Sequence, residues 1–181
     1  MARPTEDLSD NENPHVRGEA GRKRLFVTVG THTQQFDRLV KEIDRLVEEK
    51  KLTGPIFAQT GNCTYKPKNF PFQEFLNDFE YDGKIREADL VISHAGAGSI
   101  INALRNRKPL IIVPRLIEFG EHTNSHQVDL AKAMQERGKA IACIDVRLLQ
   151  NAIKNAENFK PDLESERGKL VEALNKYAGG L

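Results

Sequence analysis

Residues 91–100 read VISHAGAGSI, and His94, Ala95, Gly96, Ala97, Gly98 and Ser99 are the ones whose types and spacing suit chemistry. An apolar run, a cluster of small residues and then a helical pattern make a ready anion site. Glycines let a ligand approach the backbone, and the first turn of the helix offers unpaired N–H groups at the positive end of its dipole. Ser99 adds a hydroxyl. A phosphate or pyrophosphate is the natural guest, although two glycines in a strand-to-helix turn also serve plain packing, and both uses stay open here.

Other chemistries fit less well. A dinucleotide fingerprint needs G-x-G-x-x-G on the first strand–helix unit. Here Gly96 and Gly98 are followed by Ile101, the unit lies mid-chain, and the first turn, VGTHTQQF, has a single glycine, Gly30. His122 and His126 stand four residues apart, as on one helix face, but the order is Glu-His-x-x-x-His and no third ligand is evident, so no metal is expected. Cys63 and Cys143 are too few for a disulfide framework or a thiolate zinc site, and a reducing cytosolic compartment is the simplest expectation.

The elements that must hold these residues follow from apolar patterning. Residues 1–22 are polar and without period and read as a disordered tail, leaving 23–181 as one domain. Apolar runs at 24–29, 55–60, 90–93, 110–113 and 140–144 read as strands, with a further short strand at 72–76. Helical spacing marks 35–50, 77–88, 97–107, 123–137, 146–156 and 162–178. Short, continuously apolar strands alternating with helices predict a Rossmann-like, doubly wound parallel α/β sheet covered on both faces. Ligands in such sheets sit beyond the carboxyl ends of the strands, which puts the Gly30, His94–Ser99 and 114–126 loops on one rim.

Charge excludes one class of partner. Over 181 residues, 27 Lys and Arg against 26 Asp and Glu give a net charge of +1, whereas a nucleic-acid binder is expected to be strongly basic. The longest apolar runs, such as Leu110–Val113, fall far short of the roughly 18 residues of a membrane span, and no secretory signal is expected.

ADLVISHAGAGSIINAL, then KPLIIVPR, then NSHQVDLAKAM closely resemble the glycosyltransferase family 28 C-terminal domain. More narrowly, the chain resembles the stand-alone donor-binding subunits of two-part UDP-sugar transferases. One type is eukaryotic and extends dolichol-diphosphate-GlcNAc; the other is bacterial and serves exopolysaccharide synthesis. The likeness runs from LFVTVGTHTQQFDRLV to about Gly138 and weakly beyond; the GTH and PRLIEFGEH stretches look more like the bacterial type.

The resemblance implies the C-terminal half of a GT-B enzyme, in which two Rossmann-like halves face each other across a cleft. It would place a UDP-sugar diphosphate on Gly96–Ser99, with His94 and Ala95 beside it. Asn124, His126 and Gln127 would face the sugar or ribose. Gly30, Thr31 and His32 would lie nearest the cleft, His32 being the one candidate base in the chain. Asn102 stands where the family usually has a ribose-gripping glutamate, so a charge-assisted bond is lost there. No cofactor or metal is implied. The implied partners are a membrane-anchored acceptor-binding subunit and, through it, a lipid-diphosphate-linked acceptor at the cytoplasmic face. Leu170, Val171, Leu174 and Tyr177 on the last helix are the expected docking stripe. The implied sugar is GlcNAc, with glucuronic acid as alternative. A UDP-sugar 2-epimerase shares the architecture but needs about twice this length, and a non-catalytic nucleotide-sugar module is the remaining rival.

Overall fold

The computed structural model describes residues 22–163. Six parallel strands, β1 (Leu25–Thr28), β2 (Ile56–Gln59), β3 (Phe72–Gln73), β4 (Leu90–Ser93), β5 (Leu110–Ile112) and β6 (Ile141–Ala142), form one sheet in the order β3-β2-β1-β4-β5-β6. Five helices intervene or follow: α1 (Asp37–Glu48), α2 (Asp78–Glu87), α3 (Ala97–Arg105), α4 (His126–Glu136) and α5 (Leu149–Ala156). This is the doubly wound Rossmann-like fold expected from the patterning.

Continuously apolar strands divide their side chains between two cores by the period of two that a strand imposes. Leu25, Val27, Leu90, Ile92 and Ile111 pack with Leu39, Val40 and Ile43 of α1 and Leu149 and Ala152 of α5. Phe26, Val91, Leu110 and Ile112 point the other way, onto Ile85 of α2, Ile100, Ala103 and Leu104 of α3, and Leu130, Ala131 and Met134 of α4. Both faces are therefore dry. The 61–71 loop is held to α1 by the buried Asp44, which accepts hydrogen bonds from Tyr65 Oη at 2.6 Å and the Asn69 backbone at 2.9 Å. Burial raises the Asp44 pKa, but the bonds from Tyr65, Asn69 and Lys68 outweigh it and leave a net lowering.

Several expected boundaries move. The strand at 72–76 shortens to Phe72–Gln73 because its partner β2 ends at Gln59 and the chain turns at Gly61, φ +50°, after Thr60 and Gly61 N–H have bonded to Gln73 and Glu74 C=O. The helix at 123–137 begins only at His126, since Asn124 Oδ1 accepts the His126 N–H at 3.1 Å and holds 122–126 in a turn. The strand at 140–144 shortens to Ile141–Ala142, and 146–156 opens as a 3-10 turn at Val146–Leu148 before α5. The 1–22 tail, Arg22 apart, lies outside the described residues. So does the helix expected at 162–178, including its docking stripe, except that Asp162 and Leu163 are non-helical.

Candidate functional site

The order in which strands are added reverses between β1 and β4, and the loops leaving those two parallel strands border the crevice where such folds take ligands. His94 fills that junction. Its backbone N–H donates to Thr28 C=O at 3.1 Å, and its ring is wedged between Gly30 and Gly96: a Cβ at either glycine would overlap the imidazole. Gly30 also needs its freedom to adopt φ +74°. His94 is 9% exposed, and its Nδ1 is buried without a hydrogen-bond partner. Burial, and next the Arg115 charge, push its pKa down to about 3, so the ring is neutral.

The two glycines of the AGAG stretch therefore have different tasks. Gly96 makes room for His94, whereas a Cβ at Gly98 would meet nothing within 4 Å. Gly98 sits in the first turn of α3, whose N-cap, Gly96, supplies no side-chain bond. The first helical hydrogen bond runs from Ile100 N–H to Gly96 C=O at 3.1 Å, leaving the N–H groups of Ala97, Gly98 and Ser99 without an intrahelical acceptor. Ser99 Oγ accepts from Tyr81 Oη at 2.9 Å, so its own proton remains to be donated. The Tyr81 pKa is raised, burial outweighing its bonds to Ser99 and Thr28. On α3, Asn102 Oδ1 accepts from Asn106 Nδ2 at 2.9 Å, which leaves the Asn102 amide N–H groups for a ligand.

The loop after β5 completes the rim. Arg115 is 1% exposed, and its guanidinium donates to Val29 C=O at 2.8 Å, Gln34 C=O at 2.8 Å and Gln35 C=O at 2.9 Å, all on the loop after β1. Its backbone N–H donates to Gln127 Oε1 at 2.9 Å. Gln127 is thus a buried brace whose carbonyl is committed to the protein. Glu121, fully buried, accepts from Arg38 Nε at 3.0 Å and Nη2 at 2.8 Å. His32 and His122 stack on the same rim, while Thr31 and His126 are exposed and Asn124 is half-buried. The Asn124 oxygen is used on His126 N–H, leaving its amide N–H groups.

The structure therefore gathers the loops carrying Gly30–His32, His94–Ser99 and Asn124–Gln127 at one end of the sheet, with Asn102 farther along α3. Because His122 precedes α4, the helical His122–His126 pair does not form, and among the described residues no group of three or more His, Cys, Asp or Glu is placed to hold a metal. Sequence reasoning missed Arg115, Glu121 and Tyr81. An arginine directly after LIIVP was the available signal, since a charge so close to a buried strand must find partners. Nothing local marked Glu121 or Tyr81. Chemically, this rim is rich in donors, suited to hold a diphosphate and stabilise charge growing on it.

The comparisons with known proteins give the family and the fold. Over 130 residues the chain is 38% identical to the UDP-N-acetylglucosamine transferase subunit ALG13 of Mus musculus, covering 67% of this chain and 11% of that protein. The match thus spans about a ninth of that relative's length, whereas the alignment with the Saccharomyces cerevisiae subunit of the same name, at 31% identity, covers 66% of this chain and 60% of that one. The NMR solution structure of ALG13 superposes with a TM-score of 0.58 at 22% identity, covering 84% of this chain and 95% of that one. Acinetobacter baumannii MurG superposes at 0.53 and 20% identity, with 90% and 47% covered. These likenesses establish the fold as that of GT-B C-terminal halves. The glycosyltransferase family 28 C-terminal domain matches residues 24–178, and with the sheet order and the rim described above, the chain belongs to that family.

Proposed function

We propose that this protein is the donor-binding catalytic subunit of a UDP-sugar glycosyltransferase, with UDP-GlcNAc as donor. The observation that carries the proposal is the start of α3. Three backbone N–H groups lack intrahelical acceptors, Gly98 has open space above it, and the buried His94 has an unpartnered Nδ1 at the same junction. Ala95, buried in the core, fixes the turn between them. A diphosphate accepts from those N–H groups and from Ser99 Oγ–H. The amide N–H groups of Asn102 and Asn124, and the His126 ring, serve the ribose and sugar hydroxyls. The name of the relatives, a UDP-N-acetylglucosamine transferase subunit, supports both the donor and the dependence on a second subunit.

The reaction is an inverting displacement at the anomeric carbon. An acceptor hydroxyl attacks opposite the diphosphate, the anomeric C–O bond breaks, and UDP leaves with its new charge held by the α3 donors. The base comes from an acceptor-binding subunit at the membrane, which presents a lipid-diphosphate-linked acceptor at the cytoplasmic face. No helix among the described residues is long and apolar enough to cross a membrane. The protein then reaches that face through its partner.

Ligand-observed NMR with UDP, UDP-GlcNAc, UDP-glucuronic acid and GDP-mannose tests the reading. Uridine nucleotides are expected to bind and GDP-mannose not to. Binding of none of the four, or no preference for uridine, overturns it. Sugar transfer appearing only when the chain is mixed with its membrane subunit separates an enzyme from a non-catalytic nucleotide-sugar module.

A further inference from the structure

The rings of His32, on the loop after β1, and His122, on the loop after β5, lie 5.4 Å apart between centroids with 26° between their planes. Each Nδ1 accepts a backbone N–H from two residues on: Gln34 to His32 at 3.3 Å, Asn124 to His122 at 3.2 Å. A nitrogen that accepts keeps its lone pair, so the proton of each neutral ring sits on Nε2. Both rings are thereby fixed as Nε2–H donors, and neither Nε2–H meets an acceptor among the described residues.

The charge acting on His122 is positive. Arg38 and Arg115 bring two guanidiniums to the loop, and Glu121 brings one carboxylate, which Arg38 already holds bidentately. Arg115 donates only to carbonyl oxygens, so its charge has no counter-ion in direct contact. Burial, then the neighbouring His32 and Arg115, lower the His122 pKa, in keeping with a neutral His122 ring that donates. Two donors over a surplus cation suit an anionic oxygen. A general base needs an accessible lone pair, and His32 has committed its own to Gln34.

We propose that His32 and His122 form a paired-donor subsite for anionic oxygens of the nucleotide sugar, separate from the α3 start, and that His32 acts there as a binding donor and not as the base. This rests on the UDP-sugar reading above. The anionic oxygens belong either to the diphosphate or, for a hexuronic acid donor, to the sugar carboxylate.

The test uses the full 181-residue chain with 15N-labelled histidine. The variants are His32→Asn and His122→Asn, singly and together, because an Asn Oδ1 can replace Nδ1 as acceptor for the turn while the distal donor is lost. In the free wild type, both Nε2 nitrogens are expected to be protonated and both Nδ1 nitrogens bare. UDP should shift the Nε2 signals, and the double variant should bind UDP about tenfold or more weakly, with uridine unaffected. Unchanged UDP affinity but about tenfold weaker UDP-glucuronic acid binding assigns the subsite to the carboxylate. A proton on either Nδ1, or equal affinities of wild type and double variant for both ligands, overturns the proposal. If no uridine ligand binds the wild type, the UDP-sugar reading falls by itself and pyrophosphate decides. Nε2 shifts of His32 and His122 on adding pyrophosphate, with pyrophosphate binding about tenfold weaker in the double variant, uphold the subsite; unmoved signals or equal affinities overturn it.

Discussion

Arg115 Nη2 donates to the Val29 carbonyl at 2.8 Å, a bond from the end of β5 to the end of β1 with β4 between them in the sheet. Two more carbonyls of the loop after β1 accept from the same guanidinium. Replacing Arg115 with Met keeps much of its length but strands these acceptors in the interior. The expected loss is on the order of 3 kcal/mol, read as a lower midpoint in urea at unchanged slope. UDP affinity should fall as well, because the loops bearing Gly30 and Gln127 lose their tie. A loss below about 1 kcal/mol would mean that water replaces the guanidinium without strain.

Gly96 and Gly98 are expected to respond oppositely to substitution. Gly96→Ala drives a methyl into the His94 ring and should destabilise by roughly 2 kcal/mol. Gly98→Val places its Cβ where nothing outside its own helix turn lies within 4 Å and should hold stability within about 1 kcal/mol, yet abolish the rise in thermal midpoint produced by UDP. An equal UDP-induced rise in wild type and Gly98→Val would remove the diphosphate from the start of α3.

His94 gives the fold a pH dependence of known sign. Its folded pKa, about 3, lies below the ordinary 6.5, so between those values the unfolded chain binds a proton that the native ring refuses. Stability is therefore complete above pH 6.5 and declines as pH falls towards 3, by at most about 1.4 kcal/mol per unit from this group. Denaturant midpoints between pH 6.5 and 5, where most carboxylates stay ionised, should show that slope in wild type and a smaller one in His94→Gln. Parallel slopes would place the ring in contact with water.

Asn102 has its oxygen occupied by Asn106 and offers a ligand only donors. Asn102→Glu supplies a carboxylate with acceptors to spare for the ribose hydroxyls. UDP binding should tighten several-fold, about 1 kcal/mol, and 2′-deoxy-UDP should gain less. Calorimetry showing equal gains for both nucleotides, or none, would put the ribose elsewhere.

How much of this was legible in the sequence differs between sheet and site. The strands at Leu25–Thr28 and Leu90–Ser93 were readable because both faces of the sheet are buried, so apolar residues run without a break up to the closing Thr28 and Ser93 and no period competes. The α4 start was not, because a side chain, Asn124, sets it by hydrogen bonding, where periodicity carries no signal. His94 and the glycines stood out as residue types. That Gly96 serves His94 while Gly98 faces open space depends on where an imidazole folds, and needed coordinates. Arg115 was hidden for a similar reason: its partners lie 80 or more residues away on the loop after β1.

The outermost strands, β3 and β6, are two residues long each. So short a border exposes few backbone donors and acceptors for another chain to extend the sheet, and strand addition at an open edge is an unselective way for chains to associate. Contact across these two borders is therefore recognised through side chains, whose shape and charge vary from protein to protein. Such blunt borders close a route to indiscriminate association and leave selective side-chain contact at both edges of the sheet.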